Sequence, residues 1–256
     1  MNRGQSEVLG YVIVFSIIIG SVALVYATGY PSLESAREAT ATENVEKAFD
    51  VMDENIRDIQ RRGAPSRATE IRIAGGTLEL EDPATIRVYV ENSTNSSDNA
   101  TTSFNTVPVR YVDESGRVVS FESGGIIRGN GTDSAMIEGP DWTITEEASI
   151  FPVQTLIARG GTRSVGGETT VLVLTQLSST SAPGSYQADS SSRSIVNVTV
   201  YSDNTRAWQQ YFEQMNETVE GGVAVDSDID DGNVYWKFRT DEAHVIRKGI
   251  SVEFVR

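Results

Sequence analysis

Few residue types in this chain could carry out a reaction. Its 256 residues include a single histidine, His244, and no cysteine. Thiolate catalysis, disulfides and cysteine-ligated metals are therefore excluded, and one chain cannot build a multi-histidine site. A serine–histidine–carboxylate arrangement is formally open, but no G-x-S-x-G nucleophile elbow supports it. The 36 aspartates and glutamates could supply a carboxylate pair for glycoside hydrolysis, yet no spacing singles two of them out. Asp226, Asp228 and Asp230 alternate like the start of a calcium loop. An EF-hand needs glycine at its sixth position and glutamate at its twelfth, and those places hold Asp231 and Lys237. An acidic hydrated turn explains the run better, so the three aspartates remain a weak calcium candidate. The glycines of Gly129-Asn130-Gly131 and Gly160-Gly161 lack the strand-to-helix setting of a phosphate loop. The residues call for no cofactor and no catalytic centre.

Modification chemistry is better represented. Asn-x-Ser/Thr occurs at Asn92, Asn95, Asn99, Asn130, Asn197 and Asn216, and each is a candidate glycan acceptor where exposed outside a cell. Asn92, Asn95 and Asn99 share a polar, loop-like stretch. The surroundings of Asn197 read as a strand, which makes it a weaker candidate.

The formal net charge is -15. Three of the 21 cations are lysines (Lys47, Lys237 and Lys248), and the rest are arginines. No basic stripe interrupts the acidity, so the surface repels phosphate backbones and nucleic acid is not an expected partner. An acidic, lysine-poor balance resembles that of proteins from extreme halophiles, whose carboxylates keep a surface hydrated in concentrated salt.

The element that dominates the chain is its beginning. Arg3-Gly4-Gln5-Ser6-Glu7 is followed by 26 residues, Val8 to Leu33, without a charge. At about 1.5 Å per residue, about 20 such residues cross the hydrocarbon core of a bilayer. Three readings fit. In a secretory signal, Val25-Tyr26-Ala27 would serve as the cleavage site, but the apolar stretch before it is long for one. The second reading is a plain membrane anchor. The third rests on Arg3-Gly4 standing immediately before Gln5, a short polar patch and the apolar run. This arrangement resembles the class III leader of archaeal type IV pilins and archaellins, in which a prepilin-type peptidase cuts after the glycine and the apolar helix stays on the mature protein. The resemblance covers about a tenth of the chain. It implies cleavage between Gly4 and Gln5, a free terminus at Gln5, and assembly with other pilin-like subunits. It also points to Glu7 as the acid that pairs with a neighbour's amine, although Glu7 would be the third mature residue where the family pattern favours the fifth. Ser16 and Gly20 form a small-xxx-small pair that lets helices approach closely. Arg3 precedes the run and Glu34, Glu38 and Glu43 follow it, so the positive-inside rule puts the N-terminus in the cytoplasm and the bulk outside.

Gly29-Tyr30-Pro31 should interrupt or kink the helix, or Pro31 should begin a new one. From 32 to 62 the pattern is amphipathic: Val45, Ala48, Phe49, Met52, Ile56 and Ile59 recur at three- and four-residue steps. A continuous helix from Gln5 to Arg62 would reach roughly 85 Å. After Pro65 the period becomes that of strands. Glu70-Ile71-Arg72-Ile73 and Thr77-Leu78-Glu79-Leu80 flank Gly75-Gly76 like a hairpin, and many short strand candidates follow. Glu91 to Asn105 and Ser178 to Ser192 are poor in apolar residues and read as surface loops. Trp208, Tyr211, Phe212 and Met215 mark one short amphipathic helix, with Asn204-Thr205 as its cap. The expected organisation is a leader at 1–4, a hydrophobic membrane or assembly helix at 5–31, an amphipathic stalk helix at 32–62, and a mainly antiparallel β-rich domain at 63–256. This is an α+β fold. The expected function is that of a cell-surface structural subunit with membrane lipid as its surroundings. The alternative is a permanently anchored binding or enzymatic domain that never assembles.

Overall fold

The structure, a computed structural model, describes residues 3–91, 99–187, 193–219, 222–228 and 232–255, with side chains excluded over 3–7 and 222–228. It divides into two compact units, Met1–Ala41 and Thr42–Arg256.

The first unit is helical. Helix α1 spans Arg3–Arg62 and runs through Pro31 without a break. Proline removes one N–H and crowds the preceding turn, yet Ser32 Oγ still donates to the Thr28 carbonyl at 3.2 Å. The other serine and threonine hydroxyls of the apolar run behave alike. Ser16 donates to the Val12 carbonyl, Ser21 to Ile17 and Thr28 to Leu24, at 2.7, 2.7 and 2.9 Å. Every large apolar side chain from Val8 to Leu33 is between 52% and 74% exposed. Among the described residues this is the one helix long and apolar enough to cross a membrane.

The second unit begins with residues 42–62 of α1 and continues as strands. These are β1 (Ser66–Leu80), β2 (Ala84–Glu91), β3 (Ala100–Thr106), β4 (Val109–Val112), β5 (Val118–Glu122), β6 (Gly125–Arg128), β7 (Ala135–Glu138), β8 (Thr143–Ile144), β9 (Ala148–Ala158), β10 (Ser164–Gln187), β11 (Ser194–Tyr201), β12 (Gly222–Asp228), β13 (Asn233–Thr240) and β14 (Glu242–Val255). A 3-10 turn, Gly131–Asp133, joins β6 to β7, and helix α2 (Thr205–Thr218) follows β11. One sheet has the order β7-β6-β5-β4-β1-β10-β14-β9-β8, the other β12-β13-β11-β2-β3. Pairing is antiparallel except between β9 and β14, so the fold is α+β with a mainly antiparallel β region.

Two apolar clusters hold this unit together. In one, Val45, Phe49, Met52, Ile56 and Ile59 of α1 are at most 1% exposed and gather with Ile71, Tyr111, Phe121, Val173 and Ile250 of the larger sheet. Their alternating steps of four and three keep them on one helical face. Each such side chain contributes about 1.5–3 kcal/mol on leaving water. In the other, Trp208, Tyr211 and Phe212 of α2 pack with Val88, Val198, Trp236 and Phe238 of the smaller sheet and Phe151 and Val245 of the larger.

Three sequence expectations change here. Gly75-Gly76 makes no hairpin, because β1 continues through it with a register shift between Ala74 and Thr77. Both glycines have positive φ, and a Cβ on Gly76 would lie 2.3 Å from the Val112 carbonyl oxygen. They therefore allow a bulge where β4 comes close. The two polar stretches are not wholly loops. Ala100–Thr106 forms the edge strand β3 against β2, and β10 continues to Gln187 against β14. Serine and threonine suit strands when a partner takes their backbone groups, and residue-type counting does not reveal that partner.

Candidate functional site

A buried polar site in the second unit is built around Glu122, the last residue of β5. The two-residue turn Ser123-Gly124 leads into β6 with φ of 51° and 90°, and Glu122 pairs with Gly125. Two positive φ values define a type I′ hairpin, whose twist suits adjacent strands. Ser123 is fully buried, and its hydroxyl donates to the Gln154 carbonyl at 2.8 Å.

The Glu122 side chain is 0% exposed. Its Oε1 accepts from Trp208 Nε1 at 3.0 Å, and its Oε2 accepts from Ser202 Oγ at 2.8 Å and Asn204 Nδ2 at 3.2 Å. The apolar stripe of α2 sets the indole in place. Asn204 holds the N-cap position the sequence suggested but makes no side-chain cap bond. Its amide turns instead to Glu122 and to Ser120 Oγ. Burial pushes the Glu122 carboxyl from its ordinary 4.5 up to about 7, against the pull of the three donors, and Glu81 adds to the rise.

Glu122 borders a cleft of about 250 Å³ also lined by Glu81, Asp82, Ser202 and Asp203. Glu81 is tied to Arg110 at 2.7 Å. Ser202 Oγ both donates to Glu122 and accepts from the Asn204 N–H, so it has hydrogen-bonding work unrelated to nucleophilic attack. Four of the residues lining the cleft are acids, Glu81, Asp82, Glu122 and Asp203. Among the described residues, no three histidine or acidic side chains are grouped to hold a metal ion.

A second buried acid, Asp53 of α1, lies 2.6 Å from Arg57 Nε, and its other oxygen accepts from Gln154 Nε2 at 3.4 Å. Burial raises its carboxyl to about 6 despite the arginine. Arg57 also reaches Glu138 at 3.0 Å, and Glu46 meets Arg128 through two 2.6 Å hydrogen bonds.

The formal serine–histidine–carboxylate arrangement does occur. Ser185 Oγ lies 2.9 Å from His244 Nδ1, and His244 Nε2 lies 3.3 Å from Glu242 Oε2. Ser185 is the cross-strand partner of His244, and Glu242 lies two residues along the same strand. The group is on an open sheet surface, with the histidine and glutamate side chains 36% and 40% exposed. β10 and β9 pair along both sides of β14 and occupy its backbone groups, so that strand supplies no free N–H pair for an oxyanion. These contacts are those of a cross-strand pair.

The other residues singled out by the sequence fall in three places. Gly4, Gln5 and Glu7 lie in the first turns of α1, and their side chains are outside the described residues. Ser16 is exposed, and a Cβ built on Gly20 meets nothing within 4 Å. Asn92, Asn95 and Asp230 lie outside the described residues, as do the side chains of Asp226 and Asp228. Asn99 Nδ2 donates to Tyr89 at 3.0 Å, Asn216 Oδ1 accepts from Trp236 Nε1 at 2.8 Å, and Asn197 lies within β11 between β2 and β13. Asn130 is exposed in the turn after β6. Sequence reading missed Glu122. The available signal was an acid closing the apolar run Val118-Val119-Ser120-Phe121 just before Ser-Gly-Gly.

The model of a family described as "Family of unknown function (DUF7289)" matches residues 3–253. An uncharacterized protein of Archaeoglobus fulgidus is 29% identical over 101 residues, 39% of this chain, and the match spans only 33% of that protein's length. The solved ywiB protein of Bacillus subtilis aligns with 64% of this chain and 95% of its own, at 10% identity and a TM-score of 0.16. That likeness is too low to carry a conclusion.

Proposed function

The chain belongs to that family of unknown function, and from this premise we propose that it is a single-pass surface protein, a pilin-like structural subunit. In this reading Val8 to Leu33 sits in membrane lipid or packs against the same segment of other subunits. A prepilin-type peptidase cuts after Gly4, Gln5 becomes the new terminus, and Glu7 stands beside it. The acidic second unit lies outside the cell, and the protein works by assembly rather than turnover.

The observation that carries this reading is the exposure of the apolar run on every side, 52% or more at each large side chain. Water does not stabilise so large an apolar surface, so lipid or other copies must cover it. The hydroxyls bonded back to carbonyls four residues earlier leave it suited to either surrounding. The residues before the run carry Arg3 against Glu7 and those just after it Glu34, Glu38 and Glu43 against Arg37, so the excess of acid lies on the side read as outside.

The absence of cysteine gives a direct test. Single variants Gly20→Cys and Glu54→Cys are oxidised in cells, and the sheared surface fraction is compared with membranes. Assembly gives disulfide-linked dimers through Cys at 20 in the sheared fraction. Protein found only in membranes, uncross-linked at 20, overturns assembly and leaves the anchored, non-assembling domain.

A further inference from the structure

We infer that Asn130 is a glycan attachment site, selected from the candidate acceptors by the turn that holds it. The inference rests on the second unit lying outside the cell. After β6, Asn130 caps the 3-10 turn Gly131–Asp133, which contains Gly131 and Thr132 of the acceptor triplet. Backbone bonds close this turn: the Asp133 N–H donates to the Asn130 carbonyl at 3.1 Å, and the Ser134 N–H donates to the Gly131 carbonyl at 3.3 Å. Gly129, with φ of 87°, approaches so closely that a Cβ there would lie 2.3 Å from the Asp133 carbonyl oxygen. The backbone therefore holds its shape without help from the Asn130 side chain.

That side chain does no structural work. Asparagine at an N-cap usually bonds to the backbone of the turn it begins, but Asn130 makes no side-chain cap bond. Asn130 and Thr132 are exposed, and a Cβ on the intervening Gly131 meets nothing within 4 Å. There is room for a bulky polar substituent. The other described acceptors differ. Asn99 spends its amide N–H on Tyr89, and Asn216 holds the Trp236 indole. Asn197 is half-buried in a strand paired on both sides, with Thr199 Oγ1 3.5 Å from its own Oδ1.

The substrate class is a sugar carried on a lipid phosphate or diphosphate. Asn130 Nδ2 forms a bond to the sugar C1 as the bond from C1 to the phosphate oxygen breaks. The bonding pair leaves with the phosphate, and the amide proton passes to a base of the transferring enzyme.

The test uses the full chain made in an archaeal host with surface N-glycosylation. Cleavage after glutamate releases 123–138, which contains Asn130 as its sole acceptor, and mass spectrometry reads its occupancy. In parallel, protease applied to intact cells reports whether the second unit is outside. The expected result is a sugar increment on 123–138, lost in Asn130→Gln and Thr132→Ala and kept in Thr132→Ser. A bare 123–138 peptide on a surface-exposed second unit, the head, overturns this inference and leaves the proposed function standing. Sugar on Asn197 or Asn216 with Asn130 bare overturns it too. A head protected inside the cell overturns both.

Discussion

Two parts of one helix follow opposite rules. Along 8–33 of α1 the large apolar side chains are all at least half exposed, whereas Val45, Phe49, Met52, Ile56 and Ile59 are at most 1% exposed. The difference is written in spacing. The first stretch is apolar all round and has no polar face to give water. The second is apolar on one stripe, with Glu43, Lys47, Glu54 and Arg61 elsewhere around it. An all-round apolar helix requires an apolar solvent, while a striped helix requires one sheet face.

The same substitution made in each part breaks or sharpens this contrast. Phe49→Ala should cost the head about 3–5 kcal/mol, read by chemical denaturation, because it opens a cavity in a closed core. Phe15→Ala should leave that value within about 0.5 kcal/mol and change only detergent or membrane partition. Equal losses at the two sites would erase the distinction.

The next effect tests what burial does to charge within the head. Glu122 holds its proton up to about pH 7 when folded and about 4.5 when unfolded. Between those values the folded state binds the extra proton, so stability should fall as pH rises from about 4.5 to 7. The full loss is roughly 3 kcal/mol. Asp53, raised to about 6, slopes the same way over a lower window. Glu122→Gln should flatten the upper part of a denaturation-against-pH curve. An unchanged slope would mean the carboxylate is not buried as described.

A smaller loss, about 2 kcal/mol, is expected from Gly76→Ala, which forces an alanine to φ of 74° against the Val112 carbonyl. Smallest is Arg128→Ala. It removes two 2.6 Å hydrogen bonds to Glu46, but the arginine side chain is 58% exposed, so about 0.5–1 kcal/mol is expected. Melting temperatures would rank these two.

Much of this was legible in advance because periodicity is local. The stripe from Val45 to Ile59 and the aromatic set Trp208, Tyr211 and Phe212 lie where their spacing put them, in closed cores. What was not legible depends on partners distant in sequence. Gly75-Gly76 reads as a hairpin until β4 and β10 are seen to hold β1 on both sides. Asn204 reads as a cap until Glu122, 82 residues away, claims its amide. The Ser185–His244 contact depends on a register 59 residues apart, which no motif encodes. The apolar run, as the candidate site of assembly, was plain from its composition. The proposed cleavage signal at Gly4-Gln5 and the proposed pairing acid Glu7 fall on residues whose side chains are not among those described.

The hydroxyls of Ser16, Ser21 and Thr28 are already tied to carbonyls one turn back. On the proposed reading, moving that helix from acyl chains to a bundle of its own kind would exchange one dry neighbour for another without rewiring these three donors. The two proposed environments would then differ by fit and by crowding, and the balance between them would follow how many copies are present.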